Sequence, residues 1–183
     1  MVRIKSRWHK SGKEHSFEEI AGALAYAIWK LAMAGVLSME KADFKTDSLK
    51  HRLDIIQEYL AFAVHMVDRL TIDRLDQDER MQFLTEVSKK CAKHLEDNLR
   101  DIIGPGEYRG DFISLLNQRM GDYAEFEFTD GTPSFGLKRM FGEHVKAVMN
   151  DDDKQWVGQQ IIDVEVPDMM KHLKRATMNL FRQ

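Results

Sequence analysis

Four histidines in this sequence are followed three residues later by an acid: His15 by Glu18, His51 by Asp54, His65 by Asp68 and His94 by Asp97. With 30 acids among 183 residues, seven histidines would give about one such pair by chance, so the offset invites a chemical reading. Residues i and i+3 share a helix face, which presents an imidazole and a carboxylate together. If the two longest helices turned these faces toward each other, His65, His94, Glu58, Asp68 and Asp97 would form a candidate ligand set for zinc, iron or manganese. Helical bundles do host such sites, but the Glu-x-x-His pair of di-iron bundles occurs nowhere in the chain. The plainer reading, solvated helix faces with local His–acid pairs, is the favoured one, and no cofactor is expected.

Other constellations carry less. Cys91 and His94 form a Cys-x-x-His, a spacing that suits a nucleophile with its base or half a zinc site. Cys91 also falls on an apolar stripe, however, and reads as a core cysteine. The segment Gly104-Pro105-Gly106-Glu107-Tyr108-Arg109-Gly110 lacks the lysine and spacing of a phosphate loop and reads as an interhelix turn. The tripeptide Arg109-Gly110-Asp111 is better explained by Asp111 acting as a helix N-cap. With no nucleophile-elbow pattern either, the chain leans away from an enzyme.

Charge is unevenly placed. Arg3, Lys5, Arg7, Lys10 and Lys13 concentrate positive charge in the first thirteen residues, while the whole chain carries −3. With Trp8 among them, this arm could lie on nucleic acid or an anionic membrane surface, although a solvated terminus is the simpler reading. The acidic remainder disfavours a nucleic-acid grip across the body. Tyr123, Phe126, Phe128 and Phe135 gather around an irregular segment and either plug the core or anchor a protein partner.

The elements that must position these residues are helical. Residues 20–37 form an apolar run broken by one charge, Lys30. A membrane span needs roughly 20 apolar residues, and a central lysine costs about as much as the aliphatic residues contribute, so length alone does not decide. Ser16 and Glu19 make a capping box, and Phe17, Ile20, Leu24, Ile28 and Leu31 fall at helical spacing, which predicts a buried helix of a soluble protein. A signal peptide, suggested by the basic leader and Ala32-Met33-Ala34, is opposed by Glu18 and Glu19 standing before the apolar core.

A second helix is predicted from about residue 46 to Leu70, its apolar surface broad enough for a central position or for burial by a partner chain. A third starts at the acidic cap Asp76 to Glu79 and ends at Gly104-Pro105-Gly106, with Met81, Leu84, Val87, Cys91, Leu95, Leu99 and Ile102 as its stripe. The short link between them predicts a long antiparallel hairpin. Further helices are expected over about 111–123, 134–149, 152–163 and from Pro167 to Phe181, with a short extended stretch before Ser134.

The sum is an all-α protein: one bundle of five to seven helices over 16–183, behind a basic arm at 1–15. A lone cysteine fits a reducing compartment, so a cytoplasmic protein is expected. In the absence of catalytic motifs, the leading functional reading is an interaction or scaffold module that homo-oligomerises. A metal-dependent helical enzyme and nucleic-acid binding through the arm are the alternatives.

Overall fold

A computed structural model describes residues 17–181. The arm residues Arg3, Lys5, Arg7, Trp8, Lys10 and Lys13, along with His15 and the expected capping residue Ser16, lie outside them. The described chain is an all-α bundle: α1 (Phe17–Lys41), α2 (Leu49–Thr71), α3 (Gln77–Ile103), α4 (Arg109–Ala124), a two-strand ribbon of β1 (Phe128–Thr129) and β2 (Thr132–Pro133), α5 (Phe135–Val148), α6 (Lys154–Gln160) and α7 (Val166–Leu180).

Local chemistry sets most of the boundaries. Ser48 accepts the His51 N–H at 3.1 Å and starts α2. Asp76 and Glu79 form a reciprocal capping box at α3, and Gly104, at φ 109°, closes that helix by donating its N–H to the Arg100 carbonyl. The ribbon turns on Asp130 and Gly131, both at positive φ, as a two-residue hairpin of right-handed twist requires. Ser134 then caps α5 by accepting the Leu137 N–H.

Two boundaries differ from the sequence expectation. Asp111 is not the N-cap of α4, because the helix starts two residues earlier. Its free N–H groups are met from another helix: the buried carboxylate of Glu96 on α3 accepts from the N–H of Tyr108 at 3.2 Å and of Arg109 at 3.3 Å. Burial works against that charge, but the Tyr108 N–H and the Arg100 and Arg109 cations outweigh it and hold the Glu96 carboxyl below its ordinary range.

The last two expected helices are also not separate. A π turn over Ile161–Glu165 joins α6 to α7, and the Val166 N–H reaches back five residues to the Ile161 carbonyl. Pro167 follows at the start of α7, where its missing N–H would otherwise interrupt an α ladder; the wider turn carries the chain past it. The same turn points Glu165 inward, where Gln160 donates to it at 2.8 Å and burial pushes its carboxyl upward.

α2 is the centre, with α1 and α3 on one side and α4 and α5 on the other. Every residue from Glu58 to Val67 is buried. Phe62 stacks on Phe141 of α5 at 4.2 Å, with Tyr59 edge-on to Phe141 and Tyr123 of α4 edge-on to Phe62. α3 turns back antiparallel to α2 and runs parallel to α1, as the ordered pairs Phe17 with Phe83 and Trp29 with His94 require. The apolar stripes end earlier than their spacing implies: Leu49, Met81 and Ile102, at helix ends, are exposed.

α1 contains two glycines in opposite situations. A Cβ on Gly35 would sit 2.3 Å from Cε1 of Tyr59, whereas one on Gly22 would meet nothing within 4 Å. Gly35→Ala should therefore force the α1–α2 contact apart and destabilise the fold by about 1–3 kcal/mol. Gly22→Ala should stabilise it by about 0.4–1 kcal/mol through the unfolded chain. Urea unfolding of both variants beside the parent checks the pair, and equal effects would contradict this packing.

Candidate functional site: the exposed face of the first helix

The five residues expected to share a metal are divided among different interfaces. Glu58 is taken up by Arg119 of α4, which donates to both of its oxygens at 2.8 Å. His65 lies against the Tyr123 ring at 5.4 Å, and Arg69 donates to its Nε2 at 3.4 Å. Asp68 pairs with Arg80 at 3.2 Å. His94 packs on the other side of the bundle beside Trp29 and Tyr26 of α1, and Asp97 pairs with Lys93 on its own helix.

The physical reason is rotational. On α2 His65 is turned to α4 and Asp68 to Arg80 of α3, while His94 on α3 is turned to α1, so His65 and His94 never face each other. Among the described residues no group of three or more His, Cys, Asp or Glu side chains is arranged to hold a metal ion. Cys91 is fully buried, and burial alone pushes its thiol up to about 12, which leaves it protonated beside His94.

Where Glu58 and His65 point, the structure assembles a polar chain that the spacing does not reveal. Arg119 also reaches Asp122, Asp122 lies 3.2 Å from Nε2 of His144, and Nδ1 of His144 is 2.9 Å from the Tyr123 hydroxyl. Asp, His and a hydroxyl in line resemble a proton relay. The hydroxyl is shut inside, however: Tyr123 is fully buried, and its phenol is held well above its ordinary range, first by burial and then by the charge of Glu58. The chain braces α2, α4 and α5. Arg119, Asp122 and His144 were missed because they come from α4 and α5, and only their i, i+3 relation within α4 was visible.

The aromatic segment divides in the same manner. Tyr123 belongs to the core and is unavailable to a partner; its ring is on the side of α4 that meets Phe62. Phe126 and Phe128 are half-buried against the core, and Phe126 fits over Gly136, where a Cβ would come within 2.8 Å. Phe135 alone of the four is exposed.

The larger apolar surface is on α1. One side of this helix, with Leu24, Ile28, Ala32 and Val36, is sunk in the core. The other keeps Tyr26 at 55%, Met33 at 43% and Leu37 at 47% exposure. At about 100° per residue, Ala23, Tyr26, Ala27, Lys30, Met33, Ala34 and Leu37 fall within about 60° of the line through Lys30. α1 is long and apolar enough to cross a membrane by length and composition, and half of its apolar window is buried in the bundle.

Ile102 and Ile103, at the C-terminal end of α3, are exposed as well, on a separate helix. An apolar patch of several hundred Å² on a folded protein marks a binding surface more often than an accident of composition. At that end of the bundle there is also an open groove of about 360 Å³ between Phe44 and Trp156. Its Asp153 already accepts the Lys45 N–H at 2.8 Å.

His65 gives the bundle a pH dependence. Burial, then Arg69, lower its pKa to about 4 from an ordinary 6.5, so below pH 6.5 the unfolded chain binds a proton that the folded chain refuses. Stability should fall as pH drops from about 6.5 to about 4, by roughly 3 kcal/mol from this residue. His65→Phe should flatten that part of the profile in urea titrations at successive pH values; an unchanged slope would contradict it. Arg119→Ala, which strands the buried Glu58 charge, should cost about 3–5 kcal/mol at neutral pH. Compared with protein families, curated proteins and solved structures, the chain matches none.

Proposed function

We propose that this protein is a non-enzymatic interaction module of the cytoplasm, a braced helical bundle that presents the outer face of α1 to a protein partner. The observation that carries the reading is the exposure of Tyr26, Met33 and Leu37 along one side of a helix whose other side is core. A surface of this kind is costly to leave in water, at about 25 cal/mol per Å², and is held in place by a helix that cannot turn away from it. The polar groups that could have done chemistry are committed to bracing: Glu58, Arg119, Asp122, His144 and Tyr123 hold one another. Phe135, at the start of α5, is a second exposed aromatic available to a partner.

A photo-crosslinking amino acid placed at position 33 of the full chain, in its native cell, tests the reading. Position 81 serves as the control, because Met81 is equally apolar and more exposed, at 60%, but lies off this face. A discrete adduct from position 33 and none from position 81 is expected. No adduct, or the same adducts from both positions, would overturn the assignment.

A further inference from the structure

The groove beyond the C-terminal end of α1 is lined by groups that the bracing of the bundle does not use. Asp43 and Phe44 come from the chain just past α1, and Asp153, Trp156 and Gln160 from α6 and its start, around about 360 Å³. That is the lower end of the range of small-ligand sites. Phe44 is buried, whereas Trp156 keeps 64% of its surface exposed, as much as any large apolar side chain among the described residues.

Negative charge gathers at the same place. Asp43 follows the last turn of α1, where the helix carbonyls already carry partial negative charge. Its φ of 68° suits glycine better than any side chain, so neither the backbone nor the helix dipole favours an aspartate there. Its carboxylate has no ion pair among the described residues. Asp153 accepts the Lys45 N–H through one oxygen at 2.8 Å and keeps the other. Of the neighbouring lysines, Lys154 is taken by Asp151, and Lys45 reaches Asp153 only with its backbone.

Behind the groove wall the pattern continues. Gln160 donates to the buried Glu165 at 2.8 Å, and the other side chains that hydrogen-bond to that carboxyl, Ser38 and Tyr59, are uncharged too. The fold therefore supplies acids on both sides of Gln160 and no cation to either.

We infer that this groove is a binding site for a small quaternary ammonium ion, held against the Trp156 ring by the carboxylates of Asp43 and Asp153. The site is separate from the outer face of α1 and does not depend on it. An aromatic face attracts a cation through its quadrupole, most strongly when the cation is weakly hydrated. A quaternary ammonium asks for charge and contact but for no hydrogen bonds. A divalent metal asks for more ligands than two aspartates give, and no group of three His, Cys, Asp or Glu side chains stands here among the described residues.

Titration of the isotope-labelled full chain with choline chloride, followed by NMR at the Trp156 indole N–H and the α6 amides, is the test. A saturable shift with a Kd of about 1 mM or tighter is expected, weakening as sodium chloride is added. The uncharged isostere of choline, with carbon in place of the quaternary nitrogen, should bind at least about fivefold more weakly, because it keeps the shape and loses the charge. Asp43→Asn and Trp156→Leu, the latter read at the α6 amides, should each weaken choline at least about fivefold, with circular dichroism showing that both are folded.

No saturable shift, equal binding of the isostere, or undiminished binding by both variants overturns the site. Butylammonium binding more tightly than choline overturns the quaternary ion in favour of a primary amine. A peptide carrying trimethyl-lysine that binds at least about tenfold more tightly than choline, and shifts signals outside the groove, overturns the free ion in favour of a modified protein tail.

Discussion

A helix buried on all sides has to bring partners for whatever polar groups it carries, and α2 is such a helix. From Glu58 to Val67 it gives no residue to solvent. The carboxylate of Glu58 within that stretch is tolerable only because Arg119 meets it with two parallel hydrogen bonds. That requirement fixes the rotation of α4, which in turn sets Tyr123 against Phe62 and Asp122 against His144. The stacked pair of Phe62 and Phe141 closes the same corner from α5. The second half of the bundle is therefore positioned by one ion pair and one aromatic cluster acting on the same face of one helix.

α1 has the complementary problem. It is apolar nearly all the way round, yet it lies at the outside of the bundle, where only half of its circumference can be covered by α2, α3 and α7. Gly35 lets it approach Tyr59 closely on the inner side. On the outer side Tyr26, Met33 and Leu37 stay about half exposed. A stable helix with an uncovered apolar face combines rigidity with adhesiveness, and those are the two properties a docking surface needs. The rigidity spares a partner the entropy of ordering the surface, which is a large part of what association costs.

The π turn at Ile161–Glu165 shows how this fold resolves a local conflict. Pro167 cannot donate to an α ladder, and a clean break there would have separated α6 from α7. One turn with a longer register keeps the helix continuous and brings Glu165 into the interior with Gln160 as its donor. The end of α3 shows the same economy. Glu96, a residue of one helix, caps the start of the next, so the tight link through Pro105 needs no capping side chain of its own.

Most of the helical framework was legible in the sequence because it is written in contacts between near neighbours. The Asp76 to Glu79 box, Gly104, Ser134 and the Asp130-Gly131 turn each act over a few residues, and the 3.6-residue period of apolar side chains requires no knowledge of the partner helix. Spacing also showed which residues share a side of one helix, as with His65 and Asp68. It could not show what that side faces, because the relative rotation of two helices is decided by how all of their side chains pack at once. Hence a common site for His65 and His94 stayed open as an alternative although they lie on different interfaces, Tyr123 could be either core or partner contact until its neighbours decided for core, and Arg119 and His144 gave no signal. The apolar character of α1 belongs to the sequence alone. That one half of it is core and the other half surface is a property of the tertiary structure, because only the packed neighbours determine which half water can reach.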